Sequence, residues 1–222
     1  MIFLGSSCIY PRDCPQPIKE VNLLTGPLEA TNRPYALAKI AGVESCWSFN
    51  RQYQARHLAL MPTNMYGEGD NYHPEHSHIL PTLIRRFHQA KVNADPSVVV
   101  WGSGTPRREF MYSTDLGEAI VFLLGLPDTG FAALTQPEVA PLINVGVGHD
   151  ITIRELATLI KSVVGYEGEL AFDSSKPDGT PRKLLDVSRL HSLGWRAQTT
   201  LDVGVRTAYA DFLQNSANHA LG

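Results

Sequence analysis

Tyr35 and Lys39 lie four residues apart in a segment whose composition favours a helix. Residues with this spacing share one helix face, so a phenol and an ammonium group are held side by side. A nearby ammonium favours the phenolate, and such a tyrosine can give a proton to an alkoxide or take one from an alcohol. Because this short pattern also occurs as an ordinary amphipathic surface pair, its chemical interpretation depends on residues elsewhere in the chain.

Two short apolar segments of the chain end in small polar residues. Residues 1–4 lead into Gly5-Ser6-Ser7-Cys8, and residues 57–61 lead into Pro62-Thr63-Asn64-Met65. Each segment is typical of a buried strand, and ligands bind at the carboxyl ends of strands in open α/β sheets. We therefore expect both loops to form one candidate site together with the Tyr35–Lys39 pair.

Predicted strands alternate with predicted helices along the chain, which favours a mainly parallel α/β sheet. A long helix is predicted over residues 35–54, with Asn32 in the N-cap region. Its apolar residues occupy more than one face, as in helices that also pack against a second subunit, so a homodimer is expected. Residues 11–34, rich in proline, threonine, asparagine and charge, are predicted to form a surface loop.

The composition is that of an ordinary globular protein. The 222 residues are 43% hydrophobic and 18% charged, with a net charge of -3, which gives no electrostatic reason to expect a nucleic-acid or membrane partner. No apolar run is long enough to span a bilayer, and no signal peptide is evident. The three cysteines, Cys8, Cys14 and Cys46, are too few for a disulfide framework and favour a reducing, cytoplasmic location.

Taken together, the two strand ends and the Tyr35–Lys39 helix resemble the extended short-chain dehydrogenase/reductases that act on nucleotide sugars. Residues 4–11, 71–86 and 102–110 are similar in more detail to the GDP-L-fucose synthase family. The resemblance extends over essentially all 222 residues, and the order and spacing of its short motifs make it specific. It implies a Rossmann-like parallel sheet, NADPH as cofactor, and a GDP-sugar substrate that is epimerised at C3 and C5 and reduced at C4.

The resemblance also implies a role for individual residues. For the reduction, Ser6 would hydrogen-bond the substrate C4 oxygen, Tyr35 would protonate it, and Lys39 would hold the nicotinamide ribose. For the epimerisation, Cys8 would be the base and His78 the acid on the opposite face of the sugar. The implied cofactor-binding residues are Leu4, Gly5, Ser6, Ser7, Tyr35, Lys39, Pro62, Thr63, Asn64, Met65 and His78.

A second set of residues is implied for the GDP-sugar. Arg86 and Arg108 suit the diphosphate, because a planar guanidinium matches phosphate oxygens. Trp101 would lie beside the nucleotide, and Asp178 and Lys183 would lie in a loop that closes on it. Neighbouring Arg85, Arg107 and Arg182 are alternatives that could equally face solvent.

The chain departs from the family pattern at its start, where the G-x-x-G-x-x-G fingerprint for the cofactor pyrophosphate is missing. It corresponds to the family from the fourth strand onwards, so we expect an N-terminally incomplete Rossmann-like sheet from a longer enzyme. Residues 1–66 and 110–146 are predicted to form the remainder of the NADP-binding domain. Residues 67–109 and 147–222 are predicted to form a smaller α/β domain that binds the GDP-sugar.

Three other interpretations of the sequence remain open at this point. A related nucleotide-sugar 4-epimerase or 4,6-dehydratase is one, although Cys8 with His78 argues against it. An inactive fragment that only dimerises through the helix over residues 35–54 is another. His73, His76 and His78 with Glu75 have ligand types suited to zinc, but no further ligand lies at a matching spacing, so no metal is expected.

Overall fold

The computed structural model describes residues 1–215, which divide into two units. The first unit comprises Met1–Asn64, Thr114–His149 and Lys183–Gln198. The second comprises Met65–Ser113, Asp150–Arg182 and the described residues from Thr199 onwards. Residues 216–222, which the predicted 147–222 segment includes, lie outside the described residues.

Helices and strands alternate over most of the chain, as the sequence predicts. The helices are α1 (Arg33–Tyr53), α2 (Ile79–Asn93), α3 (Ser113–Leu124), α4 (Asp128–Leu134), α5 (Ile153–Val164), α6 (Ser188–Ser192) and α7 (Leu201–Gln214). The strands are β1 (Ile2–Leu4), β2 (Leu58–Pro62), β3 (Asn64–Tyr66), β4 (Ser97–Trp101), β5 (Arg107–Arg108), β6 (Phe110–Tyr112), β7 (Leu142–Val145), β8 (Ile151–Thr152), β9 (Glu169–Asp173) and β10 (Arg182–Lys183).

The first unit is built on a parallel sheet of three strands in the order β1-β2-β7. Leu4 is in register with Leu60, and Leu60 with Ile143, so the carboxyl ends of the strands lie along one edge of the sheet. Helix α1 packs closely on β1, because a Cβ atom on Gly42 would overlap the ring of Phe3. This close approach holds the middle of α1 against β1.

The second unit has its own parallel pair of strands, β4 and β9, and its own hydrophobic core. The helices α2, α5 and α7 supply most of the buried side chains, among them Leu83, Phe87, Ile160 and Val205. Helix α5 begins at a capping box in which the Thr152 hydroxyl accepts a hydrogen bond from the backbone nitrogen of Glu155. The apolar periodicity of α2 and α5 thus builds a compact platform for the loops around β4.

The prediction of a surface loop over residues 11–34 is wrong in part. Cys14 is buried and Ile18 is only 2% exposed, because both belong to the core of the first unit. The segment after Lys183, predicted in the second domain, also lies in the first unit, since the backbone of Ile18 pairs with Leu184 and Asp186. Asn32 occupies the N-cap of α1, but its side chain makes no capping hydrogen bond.

No single helix among the described residues is long and apolar enough to cross a membrane. The bent pair α3 and α4 passes that test only when the two helices are taken together, on length and composition alone.

Candidate active site

The loop after β1 holds Ser6 and Cys8 in one short turn. The Ser6 hydroxyl oxygen accepts a hydrogen bond from the backbone nitrogen of Cys8 at 3.2 Å, which caps the 3-10 turn Ser7–Ile9. Both side chains are half-buried. At Gly5 the chain lies so close to Met61 that there is no room for a Cβ atom, so the start of the turn is held against β2. The Ser6 hydroxyl and the Cys8 thiol are therefore positioned by the same turn.

Tyr35 and Lys39 lie on one face at the start of α1, as their spacing predicts. The Tyr35 side chain is 51% exposed, and the Lys39 Nζ atom lies 5.6 Å from the centroid of its ring. The same ammonium donates to the carbonyl oxygen of Leu4 at 2.9 Å. This bond ties the Tyr35–Lys39 face to the carboxyl end of β1, beside the Ser6 turn.

Lys183 is joined to this group by a contact that the sequence does not reveal. Its Nζ atom lies 3.4 Å from the Cys8 sulfur, across 175 positions of sequence. The structure thus places an ammonium group beside the Cys8 thiol, the group for which the family resemblance implies the role of base. The half-buried Lys183 was expected in a substrate loop, and its nearest partner is Cys8.

The remaining predicted cofactor residues follow β2 and precede α2. Thr63 is buried, and its backbone nitrogen donates to the carbonyl of Val145 at 3.1 Å, which keeps the loop after β2 on the sheet edge. Met65 and His78 belong to the second unit. His78 is exposed at the N-cap of α2, and its side chain makes no capping hydrogen bond.

The predicted nucleotide residues of the second unit gather around the end of β4. Arg86 donates to the carbonyl of Val99, two residues before Trp101, whose side chain is 72% exposed. Asp178 accepts from the backbone nitrogen and the hydroxyl of Ser103 at 2.9 and 2.7 Å. These two bonds hold the Asp178 loop beside the loop that follows Trp101.

Arg86 and Arg108 are suited to binding an anion. Arg108 donates to the carbonyl of Thr180 at 2.6 Å, and burial lowers the pKa of both guanidinium groups. Within the described part of the chain, no carboxylate lies within 4.0 Å of either arginine. A half-buried cation with only carbonyl partners gains most from a phosphate, because the phosphate supplies the missing negative charge.

Arg107 and Arg182, the alternatives in the sequence, have a different partner. Both donate to the Asp150 carboxylate, at 2.8 and 2.6 Å, and the Asp150 side chain is 4% exposed. Burial raises the pKa of Asp150, but the hydrogen bonds from Arg182 and Arg107 outweigh it and bring the pKa below its usual range. Sequence reasoning missed Asp150, because nothing in its neighbourhood in sequence indicates two arginine partners.

The histidine loop shows no ion-binding geometry. The rings of His73 and His76 are stacked, with centroids 4.6 Å apart, and His73 Nδ1 accepts from the backbone nitrogen of Glu75. Over residues 1–215, no group of three or more His, Cys, Asp or Glu side chains is placed to hold a metal ion.

A parallel α/β sheet whose strand-end loops carry Ser6 and Thr63, beside a helix that presents Tyr35 and Lys39, defines a Rossmann-like protein of the dehydrogenase type. Comparison with known proteins agrees with this class. The sequence model of the "NAD dependent epimerase/dehydratase family" matches residues 1–140. The chain belongs to this family, and within it to the GDP-L-fucose synthases.

The relatives are similar over nearly the whole chain. It is 54% identical to the GDP-L-fucose synthase of Escherichia coli K12, over 97% of this chain and 67% of that protein. It is 53% identical to the putative GDP-L-fucose synthase 2 of Arabidopsis thaliana, over 97% of this chain and 62% of that protein. The chain therefore spans roughly two thirds of the length of these relatives.

A solved structure supports the fold. A GDP-mannoheptose C4 reductase from Campylobacter jejuni with NADP bound superposes with a TM-score of 0.84, at 34% identity, over 96% of this chain and 67% of that one. The predicted Rossmann-like α/β class is therefore confirmed. The roles of the individual site residues and of the two units stay predictions.

Replacing Asp150 by Asn should destabilise the protein by about 1–3 kcal/mol at pH 7, since Arg107 and Arg182 lose the negatively charged partner that they share. The lowered pKa of Asp150 means that its contribution is present above the ordinary carboxyl pKa near 4 and is lost as the pH falls through the folded-state value. Urea unfolding from pH 7 to pH 3 should therefore show the difference between the two proteins shrinking.

Asp202→Asn is the matched control, because Asp202 also pairs with an arginine, Arg206, but on an exposed helix face. Such pairs contribute little, so this variant should unfold like the unmodified protein at each pH. An Asp150→Asn penalty that stayed constant down to pH 3 would contradict the charge-pairing explanation.

Proposed function

We propose that this protein acts in GDP-L-fucose synthesis, by 3,5-epimerisation of GDP-4-keto-6-deoxy-D-mannose followed by NADPH-dependent reduction at C4. The observation that carries the proposal is the grouping of Ser6, Cys8 and Lys183 at the end of the strand to which Lys39 is bonded. This grouping supplies a hydroxyl, a thiol and two ammonium groups where a ketone could be both enolised and reduced. Relatives that carry the GDP-L-fucose synthase name support it.

The reduction needs the ketone to be polarised and the new alkoxide protonated. Bound NADPH would supply the hydride. Ser6 would donate to the C4 oxygen, and Tyr35 would give it a proton, with the Lys39 ammonium beside the Tyr35 ring. The polar loops after β1 and β2 fit a dinucleotide, because strand ends offer backbone donors and Lys39 adds a positive charge. Leu4–Ser7, Pro62–Met65 and His78 would hold it.

The epimerisation uses the acidity that the C4 ketone confers on the hydrogens at C3 and C5. Cys8, as the thiolate, would take a proton from carbon on one face of the ring, and His78, as the imidazolium, would return one to the other face. Each inversion leaves the substrate with the same number of protons. The enolate formed in between would be stabilised at oxygen by Ser6 and Tyr35.

The second unit would bind the GDP part of the substrate. Arg86 and Arg108 would take the diphosphate, which their uncompensated, partly buried charge favours. The exposed Trp101 ring offers a stacking surface for the nucleotide, and Asp178 would lie beside it. In this proposal the first unit is the NADP-binding part and the second is the GDP-sugar part.

The alternatives from the sequence are less well supported. The proposed 4-epimerase or 4,6-dehydratase mechanism gives no role to the Cys8–Lys183 contact, and the Escherichia coli and Arabidopsis thaliana relatives do not carry those names. A role limited to dimerisation gives no function to the hydrogen bond between Lys39 and the Leu4 carbonyl at the end of β1. We retain a cytoplasmic homodimer with no nucleic-acid or membrane partner as part of the proposal; exposed Leu37, Phe49 and Tyr53 on α1 support the dimer.

Titration of the 222-residue chain with NADPH, followed by fluorescence, tests the cofactor proposal. We expect saturable binding, weakened about tenfold in Lys39→Met by the loss of one charge-assisted hydrogen bond. Lys91→Met is the matched control, since Lys91 also donates to a backbone carbonyl, that of Val164, but lies in the second unit. Absence of binding by the unmodified chain would contradict the cofactor proposal for it.

Tyr35→Phe should lower NADPH oxidation by about 10²–10⁴-fold, because the proton donor to the C4 oxygen is lost. Exchange of solvent deuterium into C3 and C5 should continue at a reduced rate, since Cys8, His78 and Ser6 are intact but the enolate loses the Tyr35 hydroxyl. The same change at Tyr53, an exposed tyrosine at the end of α1, should affect neither measurement. Loss of exchange together with reduction in Tyr35→Phe would show that the two steps are not divided as proposed.

Cys8→Ser should have the opposite effect, because a serine hydroxyl is too weak an acid to serve as the base. Deuterium exchange at C3 and C5 should stop, while slow reduction of the unepimerised ketone continues, as measured by mass spectrometry of the products. Cys46→Ala, which removes a buried thiol from α1, should keep both activities. Normal exchange in Cys8→Ser would remove Cys8 from the mechanism.

A further inference from the structure

The Cys8–Lys183 contact depends on two segments that are far apart in sequence. Cys8 lies in the turn after β1, and Lys183 lies in β10 at the other end of the chain. The capped turn fixes Cys8 only locally, and the Lys183 side chain has four rotatable bonds, so neither residue by itself brings the two groups together. Something in the first unit must therefore hold the two backbones in place.

The segment after Lys183 is bonded to the loop that was predicted to lie on the surface. The backbone nitrogen of Ile18 donates to Leu184 at 2.8 Å, and that of Asp186 donates to Ile18 at 2.8 Å. The Gln16 side chain accepts from the nitrogen of Leu184 at 2.9 Å. The Lys183 segment thus behaves as one short ladder with residues 16–18.

Asn144, on β7, connects this ladder to the Cys8 turn. Its side chain is completely buried, and its Oδ1 atom accepts from the hydroxyl of Tyr10, two residues after Cys8, at 2.6 Å. Its Nδ2 atom donates to the carbonyl of Ile18 at 2.9 Å and to that of Asp186, three residues after Lys183, at 3.0 Å. Both N–H groups and the oxygen of the amide are therefore bonded.

We propose that Asn144 is a positioning residue that holds the Lys183 ammonium against the Cys8 thiol. The position requires an amide, because one end must accept from a hydroxyl while the other donates to two carbonyls. An aspartate would turn a second oxygen towards the carbonyls of Ile18 and Asp186. An aliphatic side chain would remove the bonds to the Tyr10 hydroxyl and the Asp186 carbonyl, and would leave the Ile18 carbonyl with only its bond from the Asp186 nitrogen.

The importance of this arrangement for catalysis rests on the proposed function, because it assumes that Cys8 is the base. The arrangement itself does not rest on it, since the reactivity of a thiol can be measured without substrate. An experiment can therefore contradict the positioning role of Asn144 without contradicting the proposed function, and the reverse.

The experiment measures the rate of Cys8 alkylation by iodoacetamide in the intact protein, read by mass spectrometry of the Cys8 peptide across pH 6–9. Lys183→Met should slow alkylation at neutral pH by about threefold to tenfold, because the thiolate loses one neighbouring positive charge. Asn144→Ala should slow it by a similar factor. The double variant should be no slower than either single variant, because both remove the same contact.

Asn50→Ala is the matched control. Asn50 is also a buried asparagine of the first unit, and its amide is bonded at both ends to the backbone of His57 at 2.8 Å. It has no link to the Cys8 turn, so its loss should leave Cys8 alkylation unchanged. Buried Cys46 reports on the fold, since its alkylation rises only if the protein opens.

If Asn144→Ala opens the fold, Tyr10→Phe tests the same link more gently, because it removes one hydroxyl and keeps the ring. We expect it to slow Cys8 alkylation with Cys46 still protected. Unchanged Cys8 reactivity in the folded variants, while Lys183→Met slows it, would overturn the role of Asn144. Slower alkylation combined with normal deuterium exchange in Cys8→Ser would leave the positioning intact and overturn the proposed function.

Discussion

The parallel pairing of β1 with β2, and of β2 with β7, is the constraint on which the candidate site depends. With Leu4, Leu60 and Ile143 side by side in one register, the chain leaves all three strands at the same edge. Ser6 and Thr63 must then emerge close to that edge, and Gly42 allows α1 to lie near enough for Lys39 to reach the carbonyl of Leu4. The hydrophobic core of the first unit, with its fully buried strand residues, makes this arrangement rigid.

Buried polar groups give the loops of the site their shape where apolar packing does not. Asn144 gathers three loop segments in the first unit, and Asp150 plays a comparable part in the second by taking Arg107 and Arg182. In both cases a buried group has all of its partners inside the protein, which makes the arrangement specific, because any displacement leaves a polar atom without a partner. Loops held in this way can keep reactive side chains in place without regular secondary structure.

The arginines of the second unit illustrate how charge is divided between structure and binding. Arg107 and Arg108 lie on β5, Arg182 lies on the neighbouring strand β10, and Arg86 lies on α2. Residue type alone would suit all four to a diphosphate. Asp150 forms ion pairs with Arg107 and Arg182, whereas Arg86 and Arg108 are bonded to backbone carbonyl groups. Burial without a counter-ion is unfavourable, so the second pair is the one that an anionic ligand would stabilise.

The sequence by itself determined the α/β fold class, the helix over residues 35–54 and the shared helix face of Tyr35 and Lys39, because these depend on periodicity and on spacings within a few residues. The role of Ser6 is implied by the family resemblance. The tertiary structure alone decided the burial of Ile18, the Cys8–Lys183 contact, and the partners of Asn144 and Asp150. Such contacts join residues tens to more than a hundred positions apart, and no local pattern records which of several similar side chains will meet. Residue periodicity and short spacings determine where helices and strands form, whereas tertiary folding decides which charged groups and amides become neighbours.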